Sequence, residues 1–199
     1  MPIFSLTAQE DDLQSWTITT LSKKLNSKYS ASVLVINRVD ENISRYSSVS
    51  FDWRVRRHIK DGFSAQVSFR HWTFTQRKPV YFMWYDLIYV HKKPMYRWVN
   101  LLRFHQGLDW VDLEEPDFLR WRNHYFKNLK NSKLTPFVGY DLWYRLNDRF
   151  AFQRVWLEAG AEYKLGKTIL RLNYRRVAIF KNQPGRNLHI IFTGFTYRI

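Results

Sequence analysis

From Val49 to Arg70 the chain alternates with a period of two. Val49, Phe51, Trp53 and Val55 fall on one face, and Ser50, Asp52, Arg54 and Arg56 on the other. After Lys60-Asp61-Gly62 the alternation resumes, with Phe63, Ala65, Val67 and Phe69 opposing Ser64, Gln66, Ser68 and Arg70. Successive side chains of a strand point to opposite faces, so this stretch dictates a hairpin with one apolar and one charged surface. Two architectures accept such a ribbon. A soluble barrel would turn the apolar face inward, and a membrane barrel would turn it outward.

The same period runs through most of the chain, and helical spacing is scarce. It predicts strands over Gln14–Lys24, Lys28–Arg38, Ser47–His58, Phe63–Phe74, Val80–Val90 and Met95–Trp110. Further strands follow over Phe118–Lys127, Leu134–Leu146, Phe152–Lys164, Lys167–Ile179 and Leu188–Ile199. Tight joints (Asn26-Ser27, Lys60-Asp61-Gly62, His91-Lys92-Lys93-Pro94, Leu165-Gly166) alternate along most of the chain with wider ones (Val39–Tyr46, Thr75–Pro79, Val111–Asp117, Asn147–Ala151, Phe180–Asn187). Outer-membrane barrels alternate short and long connections in this way. Single-chain bacterial barrels usually have an even strand number, so a count near eleven points to a twelfth strand inside Met95–Trp110 or a wide loop, or to a first segment that is no full barrel strand.

The 199 residues suit one domain. There is no cysteine, hence no disulfide or thiolate site. No apolar run reaches the roughly 18 residues of a spanning helix, which leaves a barrel open. The formal net charge is +15, yet lysine and arginine are scattered singly between apolar residues rather than gathered into a basic tail or helix. The charge is therefore built into the alternation, and no nucleic-acid partner is expected. Pro2 to Ala8, followed by Gln9 and the acidic Glu10-Asp11-Asp12, resembles the end of a secretory signal. Residues 1–8 are read as a signal remnant and 9–199 as one barrel domain.

The phase holds strand by strand. Leu102, Phe104, Leu108 and Trp110 oppose Arg103, His105, Gly107 and Asp109, and Leu119, Trp121 and Tyr125 oppose Arg120, Arg122 and His124. Val138, Tyr140, Leu142 and Tyr144 oppose Gly139, Asp141, Trp143 and Arg145. Val155, Leu157, Ala159, Ala161 and Tyr163 oppose Trp156, Glu158, Gly160 and Glu162, and Leu170, Leu172 and Tyr174 oppose Arg171, Asn173 and Arg175. Trp53, Trp110, Trp121, Tyr144, Tyr163 and Tyr174 are read as an interfacial girdle. A soluble barrel would have to fit the apolar rings inside, and no amphipathic covering helix is present. The expectation is all-β: an antiparallel up-and-down transmembrane β-barrel of about 10–12 strands with a polar lumen.

The closing HIIFTGFTYRI places Ile191, Thr193, Phe195, Tyr197 and Ile199 on one face. Gly194, Tyr197 and Ile199 resemble the terminal-strand signal read by the barrel-insertion machinery, although that signal prefers an aromatic last residue. The stretches WTITTLSKKLNSKYSASVLVINR, LRWRNHYFKNL, GAEYKLGKTILRLNYRR and FTGFTYRI resemble an uncharacterised Gram-negative outer-membrane barrel family, domain of unknown function 2490. The resemblance spans about residues 13 to 199. It implies a fold and an outer-membrane location, and no activity.

Outer-membrane lipases carry histidine two residues before a serine nucleophile. No His-x-Ser occurs, and the nearest is His71-Trp72-Thr73. His105 and His124 are read as hydrogen-bonding residues, the acidic loop Val111–Asp117 as solvated, and neither metal nor cofactor is expected. The functional feature is the polar face itself. Arg54, Arg56, Arg70, Arg97, Arg103, Arg120, Arg122, Arg145, Arg171 and Arg175 face Asp52, Asp86, Asp109, Asp141, Glu158 and Glu162. The excess of arginine implies a filled or narrowly open lumen favouring a small anion, in a pore, a ligand binder or an assembly partner. Basic connections (Lys60, Lys92, Lys93, Lys130, Lys133, Lys181, Arg186) would meet outer-membrane lipid phosphates. The alternatives are a lipid-modifying enzyme using His71-Thr73, His105 or His124, and a soluble basic barrel binding polyanions.

Overall fold

In the computed structural model, residues 12–108, 117–146, 151–180 and 187–199 are described. They form eleven strands: β1 Asp12–Lys24, β2 Tyr29–Asp40, β3 Arg45–Lys60, β4 Phe63–Phe74, β5 Val80–Lys92 and β6 Tyr96–Leu108. The rest are β7 Phe118–Lys127, β8 Leu134–Arg145, β9 Ala151–Leu165, β10 Thr168–Ile179 and β11 Asn187–Arg198. Each pairs antiparallel with its sequence neighbours, and β1 closes the ring against β11 in parallel. Every strand therefore has two partners, and no open edge is left to pair with another chain.

The parallel closure accounts for the odd count. With an up-and-down path, an odd number of strands makes the first and last run the same way. Thr17 lies opposite Thr193, and Leu21 opposite Tyr197, in that seam. Among the described residues of Met95–Trp110, one of the places considered for a twelfth strand, only β6 is formed. The fold is thus antiparallel at every seam but one.

Hairpin geometry separates the two rims. At one rim, β3 and β4 are joined by Asp61 (φ 34°) and Gly62 (φ 84°), a positive-φ pair whose twist matches the flanking strands. A Cβ on Gly62 would also collide with the Val90 carbonyl oxygen. The connections between β1 and β2, β5 and β6, β7 and β8, and β9 and β10 share this tight-turn rim. The opposite, wide rim holds Asp12 and the other connections.

The alternation fixes what each face carries. Trp53, Val55, Val67, Leu87, Leu102, Trp121, Val138, Leu157, Leu172 and Phe195 are exposed on the outside around the whole ring. Asp52, Arg70, Asp86, Arg103, Arg120, Asp141, Glu158 and Arg175 are buried inside it. The expected girdle needs correction. Tyr163 lies near the tight-turn rim and Tyr144 near the wide one, but Trp53, Trp121 and Tyr174 sit midway along their strands. One ring-on-ring run, Phe63–Tyr89–His91–Tyr96–Tyr125, lies beside the tight turns with successive centroids 4.5, 6.4, 5.8 and 5.6 Å apart, and a second, Phe51–Trp53–Phe69–Tyr81–His71, runs farther up the wall. Trp110, Asp109, residues 1–8, residues 111–116, Lys181 and Arg186 lie outside the described residues.

Candidate functional site

Cross-strand register turns the charged face into specific pairs. Asp52 stands directly opposite Arg70, Asp86 opposite Arg103, Asp141 opposite Arg122, Glu158 opposite Arg175 and Glu162 opposite Arg171. Directly opposed side chains are the closest neighbours in a sheet, so each carboxylate meets a guanidinium without spanning the lumen. Asp52 accepts from Arg70 at 2.5 and 2.7 Å and from Arg54 at 2.7 Å. Asp86 takes Arg103 in a two-pronged contact at 2.6 and 2.8 Å and the Gln66 amide at 2.8 Å. Asp141 accepts from Arg122 at 2.8 and 3.0 Å and from Arg120. Glu158 holds Arg175 at 2.5 Å, and Glu162 joins Arg97 at 2.7 Å to Arg171 at 2.6 Å.

Arg103 and Arg120 oppose each other across the β6–β7 seam. They turn apart, one to Asp86 and one to Asp141, which relieves the like-charge contact. Two links reach beyond neighbouring strands. Arg97 of β6 crosses to Glu162 of β9, narrowing the lumen. His124 of β7 passes over β8 to lie 2.8 Å from Glu158 Oε1 of β9. Gly139 permits this, because a Cβ there would coincide with the His124 ring and come 2.6 Å from the Asn123 carbonyl oxygen.

Eight arginines thus share five carboxylates. Arg38, Arg56, Arg154 and Arg198 line the same space as well, and for Arg38 and Arg56 no carboxylate lies within salt-bridge distance among the described residues. Arg56 donates to the Gln66 carbonyl oxygen at 3.1 and 2.8 Å. Arg38 is held between two indoles, its guanidinium carbon 4.0 Å from the Trp16 centroid and 3.9 Å from that of Trp72. With both faces covered, its donors can be met only edgewise, the orientation that suits an oxyanion. Its Nε has no hydrogen-bond partner.

These side chains line a cavity of about 680 Å³. Its lining follows β1 from Gln14 to Ser22 and β2 from Ser30 to Asp40, so it extends along most of the barrel wall. Eight steps of roughly 3.3 Å on strands tilted near 40° rise about 20 Å, giving a mean cross-section of order 30 Å², enough for a small hydrated anion. Thr20, Ser22, Ser30, Ser32 and Thr196 form a neutral patch of the lining, and guanidinium groups make up much of the rest. The interior therefore holds a cavity and is not filled throughout.

Tryptophan fills the rest. Trp16, Trp72, Trp84, Trp143 and Trp156 line the cavity. Arg70 and Arg103 stack on Trp84 at 4.0 and 3.9 Å, and Arg120 on Trp143 at 4.6 Å. Phe118, Trp143, Trp156, Val177 and Ile190 form an apolar cluster near the wide rim. Indole faces thus supply the cations with attraction that the scarce carboxylates do not. Trp143 and Trp156 already share a phase with Asp141 and Glu158 in the sequence. The roles of Arg38, Trp16, Trp72 and Trp84 emerge only when β1, β2, β4 and β5 come together.

Of the residues read from the sequence as lumenal, Arg145 lies opposite the buried Phe118, beyond a bulge at Trp143/Tyr144. His105 is caged by Phe82, Trp84, Phe118 and Trp143 at 4.3–6.3 Å, and neither ring nitrogen has a hydrogen-bond partner. His71 and Thr73 face outward, 3.3 Å apart, with His71 stacked on Tyr81 at 5.0 Å. Among the described residues no cluster of three metal-binding side chains exists. Gly194 faces inward against Arg171, Tyr197 faces outward, and the Ile199 amide donates to the Ser22 carbonyl oxygen at 2.9 Å. Searches against protein-family models, curated proteins and solved structures find no match.

Proposed function

We propose that the chain is an integral outer-membrane β-barrel whose net-basic lumen favours small anions, as a narrow pore or small-ligand pocket. One observation carries this reading: most strand charges lie inside the ring, with Arg57 and Arg176 exposed on its outer face, and large apolar side chains cover the outside. In water that distribution would be inverted, since an apolar exterior of this extent forfeits the burial that drives folding. In hydrocarbon it satisfies both faces, because every strand has two hydrogen-bonded partners and the outer wall is apolar. Kinship with the domain of unknown function 2490 family belongs to the same proposal, as does recognition of Gly194, Tyr197 and Ile199 by the insertion machinery. The preference for anions rests on eight arginines sharing five carboxylates, with Arg38 and Arg56 in excess.

The test is a planar-bilayer recording of purified, folded protein under a potassium chloride gradient. The reversal potential is expected on the chloride side of zero and to move toward zero in Arg38→Gln/Arg56→Gln. A cation-favouring reversal potential would overturn the anion reading. Absence of conductance would remove the pore, and absence of phosphate binding in micelles as well would remove the pocket.

A further inference from the structure

The chain divides its cations by type. Arginine dominates the lumen, whereas eleven of the thirteen lysines stand on the tight-turn rim or within the last residues of the strands that meet there. Lys78 belongs to the wide rim, and Lys181 is outside the described residues. All five tight connections are bordered by exposed lysine, as at Lys28, Lys60, Lys93, Lys130 and Lys167. Among the described residues Asp61 is the one acid in those connections. On the wide rim, by contrast, Asp40 and Glu41 lie 3.3 and 2.7 Å from Arg45. The asymmetry is therefore a property of one rim rather than of the whole surface.

Each tight connection also exposes an apolar side chain beside its lysines: Leu25, Ile59, Met95, Leu129 and Leu165, with Met95 at 70% exposure. A rim built to meet a soluble polyanion has no use for these. Just below them, toward the barrel's waist, lies the outward aromatic layer of Phe63, Tyr89, Tyr96 and Tyr125. Aromatic rings toward the waist, with ammonium groups beyond them at the rim, is the order of a membrane boundary. Rings sit at the head-group level, and lysine stems lie along apolar surface while their charges reach the phosphates.

We propose that the tight-turn rim is a docking collar for an anionic phospholipid leaflet. Its lysines engage head-group phosphates, and its apolar turn tips lie among the head groups just beyond the aromatic layer. The inference rests on the membrane reading above and adds to it a side and a lipid class.

The experiment uses the full chain folded into phosphatidylcholine vesicles containing brominated phosphatidylglycerol or brominated phosphatidylcholine. Trp98, exposed on the outer face near this rim, reports local lipid through bromine quenching once Trp53, Trp110 and Trp121 are replaced by Phe. At about 20 mM salt phosphatidylglycerol is expected to be enriched several-fold over phosphatidylcholine, and that preference should collapse near 0.5 M salt, where charges are screened within a few ångströms. Replacing Lys92, Lys93, Lys130 and Lys133 together by Gln should bring the two lipids close to parity, whereas Arg77→Gln/Lys78→Gln on the other rim should not. Heat-modifiable migration verifies that each variant is folded, and the wild-type salt dependence stands if the fourfold variant is not. Equal quenching by the two lipids in the wild type, or a preference unaffected by salt or by the four replacements, would overturn the collar alone. Protein that washes off the vesicles in carbonate would overturn the membrane reading together with the collar.

Discussion

Asp52→Asn is the sharpest test of how the lumen is held. Asp52 has no solvent exposure and joins Arg70 to Arg54 through three contacts of 2.5–2.7 Å. Asparagine preserves the shape but removes the negative charge, and its amide nitrogen points a donor at one of two guanidinium groups. Removing one partner of a buried ion pair costs about 3–5 kcal/mol, chiefly because the other charge is stranded. Arg70 is buried, while Arg54 borders the cavity and can draw on its water, so the lower end, about 3 kcal/mol, is expected. For a chain of this length that corresponds to a fall of roughly 6–12 °C in the thermal midpoint. The assay is the temperature at which the folded band converts to the unfolded one on a gel, checked by urea unfolding in vesicles. Adding Arg70→Gln should recover part of the loss, since it removes the stranded charge, with a coupling of about 1–3 kcal/mol. A loss below about 1 kcal/mol, or a double variant equal to the sum of the singles, would show a hydrated cluster with no pair to break.

Two further substitutions probe the walls. Gly139→Ala should displace His124 from Glu158 and cost about 1–3 kcal/mol through overpacking, read as a lowered urea midpoint. A midpoint within error of wild type would remove the steric role of Gly139. Leu172→Arg, at an outward position 59% exposed midway along β10, should hinder folding into vesicles by roughly 2–4 kcal/mol. A water-soluble barrel would accept that arginine without loss, so unchanged folding would count against a hydrocarbon-facing wall.

Much of the architecture was legible because the side-chain period of a strand is two. Once Phe51 and Trp53 face one way, Asp52 and Arg54 must face the other, and a barrel has only an inside and an outside. The strand boundaries read from the sequence largely coincide with the folded ones, because glycine, proline and lysine interrupt the alternation where the chain turns. The girdle was less legible. A tryptophan such as Trp53 announces its face but not its depth, which depends on how neighbouring strands are staggered.

Local sequence determined that alternating ribbons would form and which side chains would share a face, since both follow from backbone geometry over a few residues. Tertiary structure decided the parallel β1–β11 closure and the register that sets Asp52 against Arg70 and Glu158 against Arg175. It also decided that Arg38 stands between Trp16 and Trp72 with no carboxylate within salt-bridge distance among the described residues. The β1–β11 seam joins residues far apart in the chain and exists only when the ring is closed, whereas the Asp52–Arg70 and Glu158–Arg175 pairs lie within single hairpins and gain their burial from the closed ring.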